Sequence, residues 1–255
     1  MSYAGSCLLC GIEGTFERGD RPAQGGYRCS ACDAPARYQV QAQVLLSMYG
    51  REAESIAALV LEEEFAALSI YEPGKRGPFR RHLRFLPGYV MSGYGEDAAD
   101  GVRPEDLMAL SFPDESFDLV ITSDVFEHVR HPYVAFREVH RVLRPGGAHV
   151  FTVPGRLPLP ATTVARVDVS GPEDVHLLKP VLHNDLHLVY NDFGADLLDR
   201  LKEAGFTTEV VAFSSPDPVA ATVVAHRSVK RPSIARRVAN GLRSQRRRLA
   251  RSVSA

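Results

Sequence analysis

Four cysteines, Cys7, Cys10, Cys29 and Cys32, fall close to the N-terminus as two Cys-x-x-Cys pairs. Each pair can form a tight knuckle that turns both thiolates toward one point. Two knuckles separated by a loop of this length match the spacing of a four-cysteine zinc ribbon. Gly11, Gly14, Gly25 and Gly26 let the intervening chain turn sharply. Four thiolates close the coordination tetrahedron, so the zinc expected here is structural and not catalytic. Two disulfides are the competing reading. The sequence shows no basic start followed by an apolar run, so a secretory leader is not expected and a cytoplasmic, reducing setting favours zinc.

A second set of reactive side chains follows the apolar run Phe117–Ser123 (FDLVITS), in the phrase Asp124-Val-Phe-Glu-His128. The run is too apolar to keep one face in water and reads as a buried central strand. The phrase after it then lies at the carboxyl end of that strand, where open α/β sheets bind ligands. His128 is the first candidate for a general base, with a backbone-bonded helix-terminal histidine as its plain alternative. His131 precedes Pro132 and is expected to help start a helix. Further on, His183-Asn-Asp-Leu-His187 places two histidines and an acid within five residues. A second metal is conceivable there, but no helical face fixes those side chains, and acceptor recognition or loop packing is the expected role.

The elements that must position these groups alternate between strand and helix. Pro132 suits the first turn of a helix, Phe136, Val139, Val142 and Leu143 recur at helical spacing, and Arg144-Pro-Gly-Gly147 stops it. Ala148–Val153 is the next strand. Upstream, residues 34–49 and 51–68 read as two helices broken at Gly50. Leu68 to Phe79 (LSIYEPGKRGPF) is a short strand, an acid, two glycines and a helix-compatible segment, the form of a nucleotide-binding βα turn. Tyr89–Met91 is a second strand, with Glu96 and Asp97 after it as candidates for a ribose contact. Asp106 either accepts from an exocyclic amine or caps a turn. Residues 193–204 form a helix ended by Gly205, and 207–213 and 219–226 form a hairpin.

Phe112 to Pro154 resembles the class I S-adenosylmethionine-dependent methyltransferases of the methyltransferase type 11 kind, and the resemblance extends over residues 68–226. It implies an α/β, Rossmann-like, seven-stranded and mostly parallel sheet that ends in a C-terminal antiparallel strand pair. It also implies S-adenosylmethionine as cofactor. Glu72, Gly74 and Gly77 would surround the methionine moiety, Asp106 and Leu107 the adenine, and Ser123 and Asp124 the loop after the fourth strand. The first loop departs from the family pattern by one glycine, and Gly93 stands about where an acid is usual. A zinc ribbon ahead of such a domain is also similar to some ribosomal RNA guanine methyltransferases.

The chain of 255 residues accommodates one α/β domain and an appendage. The expected division is a ribbon over 1–36, a helical connector over 37–67, the methyltransferase domain over 68–226 and a basic tail over 227–255. Net charge is near zero, yet ten of the 30 basic residues and none of the 31 acids lie from Arg227 onward. An acidic body therefore carries a basic tail, suited to RNA phosphates, to an anionic membrane surface, or to simple solvation. No run approaches the length of a transmembrane helix. The leading expectation is methyl transfer to a small-molecule or carbohydrate-type acceptor, whose pocket the proline-rich stretch 157–191 would shape. An RNA methyltransferase is the second expectation, and a non-catalytic interaction protein on a methyltransferase fold the third.

Overall fold

The computed structural model describes residues 2–18, 26–74, 77–95, 102–155, 157–183, 186–211 and 220–228, and for 220 and 221 the backbone alone. Glu96 and Asp97 and nearly all of the basic tail lie outside these residues. Among the described residues no helix is long and apolar enough to cross a membrane.

The N-terminal strands β1 (Ser2–Ser6), β2 (Glu13–Arg18) and β3 (Tyr27–Cys29) form an antiparallel sheet in that order. Tyr3 stacks on Phe16 across β1 and β2, with ring centroids 4.8 Å apart. Helix α1 (Tyr38–Tyr49) follows and ends at Gly50 as the sequence suggests. The single helix expected over 51–68 is instead two short ones, α2 (Ile56–Leu59) and α3 (Glu63–Ala66). The reason is local. The amides of Arg51, Glu52 and Ala53 all donate to the Glu62 carboxylate, and Ser55 caps α2 by accepting from Ala58. A carboxylate and a hydroxyl thus take the N–H groups that helix continuation would use.

The main sheet contains β4 (Ile70–Pro73), β5 (Tyr89–Ser92), β6 (Phe117–Ser123) and β7 (Leu143–Pro154). Helix α4 (Arg80–Leu83) links β4 to β5, and α5 (Pro132–Val142) links β6 to β7. Between β7 and α6 (Leu197–Glu203) the chain forms the short strands β8 (Val164–Ala165), β9 (Val167–Asp168), β10 (Val175–His176), β11 (Leu182–His183), β12 (His187–Leu188) and β13 (Asn191–Asp192). Strands β14 (Phe206–Val211) and β15 (Ala220–Arg227) complete the sheet, whose order is β14-β15-β7-β6-β4-β5. Strands β7, β6, β4 and β5 run parallel, and β15 pairs antiparallel with both β7 and β14. The fold is thus α/β with a mixed sheet of six strands. Beyond β5 an isolated parallel bridge joins Gly93 to Pro104, and among the described residues the sheet has six strands against the seven expected.

Alternation along each strand divides the core in two. Ile70, Leu119, Ile121, Val150 and Val224 point toward α1 and the N-terminal sheet; Tyr71, Val120, Phe151, Val153 and Val223 point toward α5 and α6. Covering both faces explains why β6 reads as a largely apolar run and not as a strict alternation. Arg144-Pro-Gly-Gly147, expected as a helix stop, begins β7 as a bulge: Phe117 pairs with Leu143 but Leu119 already pairs with Ala148. Gly146 takes φ +90° there, which its lack of a Cβ permits.

Candidate functional site

The carboxyl ends of β4, β5 and β6 lie side by side because these strands are parallel neighbours. Glu72, near the end of β4, is fully enclosed. Its Oε2 accepts from the Tyr89 hydroxyl at 2.8 Å, and burial pushes its pKa up to about 7. Gly74 follows at φ +97°, and a Cβ built there would meet nothing within 4 Å, so the turn opens onto free space. At Gly77 a Cβ would stand 2.0 Å from Glu72 Oε1. Glycine at 77 therefore makes room for the acid's own carboxylate, a constraint the sequence pattern does not reveal.

On the other side of β5, Gly93, Tyr94, Gly95, Glu105, Asp106 and Ser111 help line an open cleft of about 310 Å³. Asp106 Oδ1 accepts from the Met108 amide at 2.8 Å, so this carboxylate does cap its turn. Leu107 is buried beneath it in the core beside Tyr71 and Phe112. Glu105, which the sequence reading passed over, anchors the same loop by accepting from the Ser111 amide at 2.8 Å and pairing with Arg103 at 2.6 Å. Asp106 lines this cleft; Glu72, Gly74 and Ser123 do not.

After β6, Ser123 Oγ donates to Gln41 Oε1 at 2.8 Å. Asp124 takes φ +53°, and its carboxylate accepts from Thr152 Oγ1 at 2.8 Å and pairs with Arg37 Nε at 2.9 Å. Both side chains are thus engaged by residues just before or within α1. Gln41, itself fully buried, also donates to the Thr122 and Val150 carbonyls at 3.1 Å each. Nothing in the local sequence near Gln41 announces this role, because its partners lie more than 80 residues away. His128 sits in a 3-10 turn (Phe126–His128) directly after β6, and its Nδ1–H donates to the Leu188 carbonyl at 2.9 Å. His131 stands at the N-cap of α5 without a side-chain capping bond.

The cysteine knuckles are near-duplicates. Gly11 N–H donates to the Cys7 carbonyl and Cys7 N–H to that of Ile12; likewise Asp33 donates to Cys29 and Cys29 to Ala34. Gly11 and Asp33 both adopt positive φ, at +77° and +60°. The sulfurs of Cys7 and Cys32 are 3.8 Å apart and those of Cys10 and Cys29 4.0 Å, with all four within 4.8 Å of one another. No disulfide joins them. Sulfurs bound tetrahedrally at about 2.3 Å from zinc stand about 3.8 Å apart, so the donor set fits the ion.

Residues 92–151 match the family model described as a methyltransferase domain. This stretch is similar to a methyltransferase domain. It covers the end of β5, the cleft loop, β6, the His128 turn, α5 and most of β7. The malonyl-[acyl-carrier protein] O-methyltransferase of Halorhodospira halophila is 33% identical over 106 residues, which is 42% of this chain and 32% of that protein. The chain therefore spans about a third of the length of this curated relative. Among solved structures, an S-adenosylmethionine-dependent methyltransferase from Mesorhizobium loti is 23% identical, over 66% of this chain and 94% of that one, with a TM-score of 0.46. A methyltransferase from Thermotoga maritima, described as a possible histamine N-methyltransferase, is 15% identical over 75% and 92% of the two chains, with a TM-score of 0.43.

Proposed function

We propose that the chain is an S-adenosylmethionine-dependent methyltransferase acting on a small-molecule or carbohydrate-type acceptor, with structural zinc held by Cys7, Cys10, Cys29 and Cys32. The observation that carries this reading is the coincidence of the methyltransferase-like segment with the carboxyl edge of the parallel strands. At that edge Gly74 opens onto free space and Asp106 lines a cleft.

The cofactor supplies an activated methyl group on a sulfonium, so the chain's part is to orient donor and acceptor and exclude water. Glu72, Gly74 and Gly77 would lie about the methionine end, Asp106 and Leu107 about the adenine, and Ser123 and Asp124 would contribute the loop after β6. The stretch 157–191 closes the acceptor side. It is fastened to the His128 turn by the Tyr190 amide on the Glu127 carbonyl at 2.7 Å and by Arg130 on Asp174 at 2.7 Å. His128, in the turn after β6, is the candidate general base toward the acceptor. The resemblance to an O-methyltransferase makes oxygen the acceptor atom to try first.

Isothermal calorimetry of the zinc-loaded protein with S-adenosylmethionine tests the reading. One-site binding is expected, with Asp106→Ala weakening it at least about tenfold through loss of the ordered turn, equivalent to about 1.4 kcal/mol. No heat of binding at millimolar cofactor would overturn it.

A further inference from the structure

The stretch 157–191 does more than cover the turn after β6. It brings His183 from the β11–β12 hairpin onto His128 and Glu127. His183 Nδ1 stands 3.0 Å from His128 Nε2, and each nitrogen faces Glu127 Oε1, at 3.8 Å and 3.6 Å. A triangle with those three sides has its corners about 2.0 Å from one common point. That is the bond length of a divalent transition ion to imidazole nitrogen and carboxylate oxygen, about 2.0–2.2 Å.

Two further features fit a ligand set. Glu127 is 1% exposed, and neither of its carboxylate oxygens has a hydrogen-bond partner. A buried carboxyl group without partners is costly unless something else satisfies it. Because the Leu188 carbonyl fixes the proton of His128 on Nδ1, Nε2 presents its lone pair to the same point. Metal-bound histidines are oriented in this way, by a hydrogen bond from the far ring nitrogen. His187 pairs with His183 across the hairpin, and its ring centroid lies 5.6 Å from that of His128. A third imidazole therefore stands beside the Glu127, His128 and His183 set without belonging to it.

We infer that Glu127, His128 and His183 form a second metal site, which binds a divalent first-row transition ion such as zinc through two imidazoles and one carboxylate. Three protein ligands leave coordination positions open, unlike the closed four-cysteine cluster. The site lies directly after β6, so an oxygen of the acceptor is a natural further ligand, a consequence that rests on the methyltransferase reading. With the ion bound, His128 serves as a ligand and not as a free base.

The test is metal content of the full chain, saturated with zinc and freed of excess, compared with His183→Ala and with Glu127→Gln. Glu127→Gln keeps the buried shape should the first variant fold poorly. Each variant is expected to hold one zinc fewer per chain than the parent. The affinity at the lost position should fall by more than the roughly 100-fold that removing an outer hydrogen-bond partner costs. Cobalt substitution should show nitrogen- and oxygen-ligated bands that vanish in both variants, while the thiolate-to-metal bands of the cysteine cluster persist. Equal zinc content in parent and variants, with unchanged cobalt spectra, would overturn the inference: His128 and His183 would then simply share a proton. Neither measurement needs turnover or bound cofactor, so each reports on the site even if S-adenosylmethionine does not bind.

Discussion

Glu72 shows how much one residue's setting changes its chemistry. In the sequence it is an acid before two glycines; in the fold it is enclosed, bonded to Tyr89, and flush against Gly77. Burial raises its pKa from the ordinary 4.5 to about 7. The folded protein therefore keeps this proton where the unfolded chain has lost it. The resulting stability is fully present below about pH 4.5 and is lost as pH rises through 7. The full shift corresponds to about 3 kcal/mol. Glu72→Gln removes the charge but keeps an acceptor for Tyr89. Urea denaturation should find the variant gaining on the parent from pH 5 to pH 8, by about 1–3 kcal/mol at the upper end. A difference independent of pH would show that the carboxyl is already ionised in the fold. His149 acts with the opposite sign. Burial pushes its pKa down to about 3, so its contribution is lost as pH falls below 6.5. For that reason the comparison must be made between variant and parent at each pH.

At the scale of elements, α1 is held to the sheet by a polar bracket as well as by packing. Gln41 bridges the carbonyls of β6 and β7 and receives the Ser123 hydroxyl, with no exposure to water. Arg37, one residue before α1, reaches Asp124. Gln41→Ala would leave the Ser123 hydroxyl without its acceptor and open a cavity against the strand ends. The expected cost is about 2–4 kcal/mol, seen as a lower urea midpoint with an unchanged slope. Gln41→Glu should be at least as damaging, because a buried carboxylate cannot donate to either carbonyl. The same bracket sits over the loop proposed to bear the cofactor, so S-adenosylmethionine affinity should fall along with stability.

At the scale of the whole molecule, the cysteine cluster does not stand apart from the sheet. Cys7, Leu9, Phe16 and Cys29 belong to the same apolar cluster as Ile56, Ile121 and Val150. The carbonyls of Leu8 and Leu9, inside the first knuckle, accept from the amides of Ile56 and Ala57 at 2.8 and 2.9 Å. Losing the ion should therefore destabilise the entire fold and not melt a detached module. Chelation, or Cys29→Ser, should lower Tm by roughly 10 °C or more in one cooperative transition; about 4 kcal/mol lost from a chain of this size gives that shift. Two separate transitions in calorimetry, with the larger unmoved, would contradict this coupling.

The sequence by itself determined the local elements and the chemistry of short spacing. FDLVITS is a strand and Pro132 opens a helix, and paired Cys-x-x-Cys knuckles follow from residues close enough in the chain to constrain one another. What only the tertiary structure decided are contacts across long separations, where periodicity carries no information. Gln41 finds Thr122 and Val150, Glu72 finds Tyr89 and Gly77, and the hairpin at His183 finds His128 and Glu127. The sequence showed His183 and His187 as polar residues on a loop with no helical face to converge them. A backbone hydrogen bond from Tyr190 to Glu127, the His128 imidazole on the Leu188 carbonyl and an ion pair fasten that loop to the turn after β6, and this docking supplies the fixed geometry that a helix would otherwise provide.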